Sequence, residues 1–341
     1  MRAVTLQPRL AWELARKDLK LFLADRRGAV LCFAVPVLLA SAFGAIFHRP
    51  AGAAGARLPL LVVVEDDSPL TRRVVDGLRR SDMLEAAVTD RATALRRLEE
   101  RGSGQPLLFL HAGEGLQPQL EWLDLLARRF RVVAPHHPGW GNSSLPDWLM
   151  TVDDLAYLYL DFAAALELQD AILVGACFGG WIAAEMAVRD TRRFAKLALL
   201  DPLGIKVGGV TDRDIADMHA ISRDEYMRLA WADPAKGERD LMQLPETELA
   251  GIARGREAFA RFGWKPYMHN PHLKRWLHRI DIPTLLLWGE RDGIVSTRYG
   301  EAWRAEIPGA RMETVADAGH FPHWEQPRDV ADRLSRFIES N

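Results

Sequence analysis

The 341-residue sequence predicts an α/β fold, a mostly parallel sheet with helices on both faces, interrupted by a helical insertion. Three observations predict it. From Leu107 onward, short strand patterns alternate with longer helical ones, the arrangement that parallel strands joined by covering helices require. Between Asp201 and Asp281 the strand patterns stop and helical ones take over. At Gly175-Ala176-Cys177-Phe178-Gly179-Gly180 an apolar run turns directly into a helical stretch, with a nucleophile-capable side chain at the bend.

In chain order, strands are expected at Leu107 to His111, Arg131 to Ala134, Ala171 to Gly175, Lys196 to Leu200, Thr284 to Trp288 and Arg311 to Val315. Helices are expected near Gln119 to Arg129, Val152 to Leu168, Gly179 to Arg189, Thr297 to Ala305 and Pro327 to Ser340. The insertion reads as four helical segments, Asp212 to Ala220, Arg223 to Trp231, Glu246 to Phe262 and Pro271 to Arg279. Ahead of the first core strand come strand patterns at Leu58 to Glu65 and Leu84 to Thr89, and charged helical patterns at Thr71 to Arg79 and Arg91 to Arg101.

Further upstream, Gly28 to Phe47 runs for twenty residues without a charge. At 1.5 Å per helical residue that is roughly the 30 Å hydrocarbon layer of a bilayer. Basic residues cluster before it (Arg2, Arg9, Arg16, Lys17, Lys20, Arg26 and Arg27), which sets the N-terminus in the cytoplasm and the following chain outside. A single-pass anchor is the expectation. A buried soluble helix, a cleaved signal peptide and a cytoplasmic enzyme domain are the alternatives.

The net charge of −2 gives no reason to expect a nucleic-acid partner. The 2 cysteines, Cys32 in the apolar run and Cys177 at the bend, make no disulfide framework. The expected organisation is an anchor segment over 1–50, a small α/β segment over 51–101, core over 102–202, a helical lid over 203–280 and the rest of the core over 281–341, with a junction near Arg101-Gly102-Ser103-Gly104.

The chemistry sits in four motifs. Cys177 occupies a tight strand-turn-helix bend where neighbours two positions away must be glycine to avoid collision, and the following helix points its positive end at the sulfur, which suits thiolate chemistry. An apolar strand ends in Gly289-Glu290-Arg291-Asp292. His320 follows in Asp317-Ala318-Gly319-His320-Phe321-Pro322, and Leu107-Leu108-Phe109-Leu110 opens into His111-Ala112-Gly113-Glu114-Gly115. The adjacent His136-His137 pair would point apart, and His320 and His323 share a Phe-Pro-containing loop, so neither a metal nor another cofactor is expected.

These motifs, with Pro138-Gly139-Trp140-Gly141-Asn142-Ser143 and Glu325, resemble the α/β-hydrolase superfamily from about Gly102 onward. The likeness is to lidded members in particular, the esterases and the carbon-carbon bond hydrolases of aromatic ring degradation. The resemblance implies that Cys177 is the nucleophile, His320 the base and Asp292 the residue that orients it. It places the oxyanion on the N–H groups of Phe178 and Gly113. Asp201, at a strand end from which some lidded hydrolases draw their acid, is a second candidate for that role.

This sequence departs from the superfamily pattern in two places: cysteine stands where serine is usual, and Ala112 where glycine is common. Three readings of Cys177 stay open: an active thiol paired with histidine, a serine-type scaffold with slow or altered chemistry or acyl transfer through a thioester, and a silent elbow. Family members also carry a strand pair ahead of the His111 strand, so the sheet is expected to lack its first edge. Whether the Leu58 strand covers that edge is open.

His111, Trp140 and Trp181 are expected at the substrate. The lid's Met218, Met227, Trp231, Met242, Phe259, Phe262, Trp264, Tyr267 and Met268 either line an apolar pocket or simply pack the lid on the core. Residues 10 to about 100 resemble the start of ABC-2-type transporter permeases, on Trp12-Glu13-Leu14-Ala15-Arg16-Lys17-Asp18-Leu19, Pro36 and Leu61-Val62-Val63-Val64-Glu65-Asp66-Asp67-Ser68. One span and no phosphate-binding loop exclude transport and ATP hydrolysis. The expected function is a membrane-anchored hydrolase of an apolar carboxylic ester, lactone or thioester. Carbon-carbon bond hydrolysis of a diketone, a noncatalytic lidded binding module and a fusion fragment are the alternatives.

Overall fold

The computed structural model describes residues 58–63, 84–89, 98–116, 120–141, 143–209 and 211–340. The apolar run at 28–47, its basic flank and most of the permease-like segment lie outside the described residues. Among those described, no helix is long and apolar enough to cross a membrane.

Strands β1 (Leu58–Val63) and β2 (Leu84–Thr89), both expected from the sequence, form a two-stranded sheet. The main sheet comprises β3 (Leu98–Arg101), β4 (Pro106–Leu110), β5 (Arg131–Pro135), β6 (Ala171–Ala176), β7 (Phe194–Leu200), β8 (Thr284–Gly289) and β9 (Arg311–Val315), in the spatial order β3-β5-β4-β6-β7-β8-β9. Every pair is parallel except β3 with β5. Strands β6 and β8 are buried at every residue, which requires cover on both faces and explains why they read as unbroken apolar runs.

The edge strand β3 corrects the expectation of a helix over Arg91 to Arg101 and supplies one strand, in place of the absent pair, at the first edge of the sheet. Leu98–Arg101 runs antiparallel along β5, pairing Leu98 with Pro135 and Arg101 with Val132. Its charges suit an edge: Glu100 takes a hydrogen bond from Arg131 at 2.7 Å, and Arg101 pairs with Glu99 and Asp124. The junction placed at Arg101 to Gly104 is thus the connection from β3 to β4. Gly102 there has φ 77°, and a Cβ would meet the Ala127 carbonyl at 2.2 Å, so the turn demands glycine.

Among the described residues, seven helices of eight residues or more accompany the strands: α1 (Leu120–Ala127), α2 (Val152–Ala165), α3 (Phe178–Arg189), α4 (Arg223–Ala230), α5 (Glu246–Gly263), α6 (Thr297–Glu306) and α7 (Pro327–Glu339). α1 packs on α7 and α2 on α3. α2 starts where the sequence places it because Thr151 and Asp154 form a reciprocal capping box. α4 and α5, with single turns at Pro234–Gly237 and Leu273–Trp276, form the insertion between β7 and β8.

The helix expected over Asp212 to Ala220 does not form. Asp214 instead accepts the N–H groups of Val207 and Gly208 and the Lys206 ammonium, while Asp212 accepts Gly209 N–H, so side chains take up the loop's donors in place of a helical ladder.

Candidate active site

β6 delivers Cys177 to the top of the sheet. The residue has φ 50° and ψ −111°, the strained bend foreseen from the glycine spacing. Its N–H is tied to Leu200 O at 2.8 Å. A Cβ on Gly175 would lie 2.3 Å from Gly179 O, and one on Gly179 would lie 2.0 Å from Leu110 O. Phe178 is the first residue of α3, so its N–H has no helical partner.

Asp292 and His320 arrive on the loops after β8 and β9. His320 Nδ1 donates to Asp292 Oδ2 at 2.8 Å, and both side chains are sealed from solvent. Asp292 Oδ1 accepts the N–H groups of Ile294 at 2.7 Å and Val295 at 3.1 Å, which fixes the carboxylate. Burial opposes a charged imidazole, but the Asp292 charge, then that of Cys177 and hydrogen bonding to both, outweigh it and hold His320 well above its ordinary pKa. With Nδ1 occupied by Asp292, Nε2 is buried with no other hydrogen-bond partner among the described residues. Asp292 and His320, 28 residues apart, thus meet directly, and Cys177, far ahead of both in the chain, is among the groups that act on the imidazole.

The loop after β4 is fastened from below by a histidine pair. His111 Nδ1 donates to Ala112 O at 2.7 Å, and His111 Nε2 accepts His137 N–H at 2.9 Å. His137 Nε2 donates to His111 O at 2.8 Å, and its Nδ1 accepts the Tyr159 hydroxyl at 2.5 Å. Both rings are neutral: burial first, then a neighbouring histidine for His111, pushes their pKa values down, that of His137 to about 3. Trp140 Nε1 closes the loop from the side by donating to Gly113 O at 2.8 Å.

The profile of the alpha/beta hydrolase family matches residues 107–333. The chain belongs to this family.

Among curated relatives of this hydrolase is the dihydrolipoyllysine-residue acetyltransferase component of the acetoin cleaving system of Cupriavidus necator, 28% identical over 72% of the chain, which spans 66% of that protein's length. Another is the 2-hydroxymuconate semialdehyde hydrolase of Pseudomonas sp. strain CF600, 27% identical over 71% of this chain and 89% of its own. Among solved structures, a membrane phospholipase A described as a bacterial virulence factor shares the fold, with 24% identity over 95% of this chain and 98% of its own and a TM-score of 0.57.

The three residues expected at the substrate fare differently. Trp181 lines a cavity of about 1180 Å³ together with Phe262, Trp264, Glu185, Asn270 and Met150. His111 is fully buried and both its nitrogens are spent on backbone, so it supports the loop. Trp140 fastens the loop and stacks on Phe178 with centroids 5.7 Å apart, and it also lines a cavity of about 440 Å³ with Gly113 and Glu114. Of the insertion's apolar residues, Phe259 and Phe262 pack onto Phe178, with centroids 5.2 and 6.1 Å away, whereas Met242 is 93% exposed.

Other contacts of the hydrolase site carried no local sequence signal, although Glu114 and Glu325 themselves stood among the motif residues. Ala230 O accepts His320 N–H at 2.8 Å, and Leu229 O accepts Gly293 N–H at 2.8 Å, so the end of α4 grips both the histidine and the acid loops. Glu325 accepts the N–H groups of Gly319 at 2.6 Å and Asp233 at 3.0 Å, joining the histidine loop to the insertion. The Tyr226 hydroxyl donates to the Glu114 carboxylate beside Gly113. Burial, Glu114 and then Cys177 all raise its pKa, so the phenol stays neutral near the sulfur. Their spacing in sequence is arbitrary, which is why only the fold reveals them.

Asp201, Asp292 and His320 each bring a potential ligand atom within 4.8 Å of the other two. The hydrogen bond between His320 Nδ1 and Asp292 already commits that nitrogen, so the cluster reads as an orienting pair with a second carboxyl beside it.

Proposed function

We propose that this α/β-hydrolase cleaves a carboxylic ester, lactone or thioester bearing an apolar acyl or aryl group, through Cys177, His320 and Asp292. One observation carries the reading: His320 is fixed by Asp292 on one nitrogen and leaves the other to a cysteine held at a strained elbow. The imidazole takes the thiol proton, and the thiolate attacks the carbonyl. The N–H groups of Phe178 and Gly113 hold the oxyanion, and His320 protonates the leaving group. Water, deprotonated by the same imidazole, then releases the acid and restores the thiol. Support for an apolar substituent comes from Phe259 and Phe262 of the insertion, which pack against Phe178 beside Cys177.

Anchoring by the uncharged run at 28–47 belongs to the same proposal. The phospholipase A named for its membrane association matches nearly the whole chain, which supports that reading. Carbon-carbon bond hydrolysis is the second reading, favoured by the likeness to the 2-hydroxymuconate semialdehyde hydrolase.

The test is a chromogenic acyl ester with intact-mass analysis of the parent, Cys177→Ala and Cys177→Ser. An acyl adduct on the parent that is absent from Cys177→Ala is expected. Turnover that survives Cys177→Ala would remove the nucleophile, and turnover of a vinylogous diketone without any ester turnover would favour the second reading. Cleavage of residues 98–340 by protease added to the cytoplasmic side alone would overturn the orientation.

A further inference from the structure

Asp201 ends β7 with φ 43°, and its side chain is completely buried. Oδ1 accepts Gly289 N–H at 2.9 Å, while Oδ2 has no hydrogen-bond partner of ordinary geometry. Asp292, from the β8–α6 loop, and His320, from the β9–α7 loop, are the titratable groups against it, each with an atom inside the shared 4.8 Å sphere.

Two carboxylates this close in a site closed to water do not both ionise. Which one keeps the charge follows from the donors. Asp292 has two backbone N–H groups and the imidazole, whereas Asp201 has one backbone N–H. The charge therefore settles on Asp292 and the proton on Asp201, where the orphaned oxygen becomes a hydroxyl beside its neighbour's carboxylate. We propose that Asp201 and Asp292 share a single proton held on Asp201, and that Asp201 is thereby a positioning residue, keeping the carboxylate pair at one negative charge and standing as the reserve orienting carboxylate for His320. Burial, followed by the charge of Asp292, raises the Asp201 pKa well above the usual carboxylate range, consistent with this arrangement.

The catalytic consequence rests on the hydrolase reading above, whereas the proton does not. In the full chain at pH 7, the infrared difference spectrum between the parent and Asp201→Asn should show the carbonyl stretch of a protonated carboxyl that shifts in D2O. A carboxylate band in its place overturns the proposal. In ester turnover, Asp292→Asn frees Asp201 to ionise and orient His320. Adding Asp201→Asn should then cost at least about tenfold more in the Asp292→Asn background than in the parent. Residual Asp292→Asn turnover should rise with pH as Asp201 deprotonates. Equal costs in the two backgrounds, or an Asp201→Asn loss as deep as that of Asp292→Asn, overturn the reserve role. If the parent turns over no ester, the function reading fails while the infrared spectrum still decides where the proton sits.

Discussion

Trp140 Nε1 donates to the Gly113 carbonyl at 2.8 Å, so the loop proposed to hold the oxyanion is fastened by a side chain from the β5–α2 connection. Replacement by phenylalanine keeps an aromatic ring against Phe178 and Phe262 but deletes the donor. A whole oxyanion donor is worth roughly 10²–10³ in kcat, and a misaligned one less, so Trp140→Phe should lower kcat about tenfold and move KM less. Steady-state kinetics on the chromogenic ester decide it: a change confined to KM would make Trp140 a substrate contact instead.

Buried histidines set the response to acid. The folded pKa values of His111, His137 and His323 lie below the ordinary 6.5, with burial as the first cause in each and the last two at about 3. Below pH 6.5 the unfolded chain binds three protons that the folded one refuses, so these groups remove about 4 kcal/mol of stability per pH unit fallen. His320 runs the other way. Its folded pKa is raised, so its contribution is complete below 6.5 and fades as pH climbs through the raised value. Urea denaturation between pH 7 and 4 should show the acid loss, and His323→Leu should reduce its slope by about 1.4 kcal/mol per pH unit.

Tyr159→Phe removes the hydroxyl that donates to His137 Nδ1 and leaves a buried nitrogen unpaired. The expected cost is about 1–2 kcal/mol, which for a domain of this size lowers Tm by roughly 2–8 °C. Differential scanning calorimetry reads it, and an unchanged Tm would mean that the Tyr159–His137 bond adds no stability.

Glu325→Gln replaces a carboxylate that gathers N–H groups from both the histidine loop and the insertion with a group bearing its own donors. Losing charge-assisted bonds at buried N–H groups should cost about 2–3 kcal/mol and lower kcat through a loosened His320. Paired urea melts and turnover measurements test this. A fall in stability with kcat intact would confine Glu325 to holding the insertion down.

Much of the core was legible locally. β4 to β9 fall within two residues of the runs read from the sequence, and for the inner strands β4, β6 and β8 the reason is that parallel strands buried on both faces must be short and apolar and leave little ambiguity. Edges and loops were less legible. Leu98–Arg101 is charged and reads as helix, yet it becomes a strand because β5 offers an open ladder to pair with. The Asp212 segment has a helical pattern, but its aspartates bind the backbone sooner than a helix can form.

The sequence by itself determined the α/β class, the elbow at Cys177 and the three side chains proposed for the chemistry, because steric demands at a one-residue turn leave a signature within five positions. Only the tertiary structure decided how they are held. It showed His111 and Trp140 fastening the loop proposed for the oxyanion, Trp140 while also lining a cavity with Gly113, brought α4 and Glu325 onto the histidine loop, and set Asp201 beside Asp292. The reason is physical: a hydrogen bond between residues a hundred positions apart depends on where two strand ends meet in space, and no local pattern of residues records that meeting.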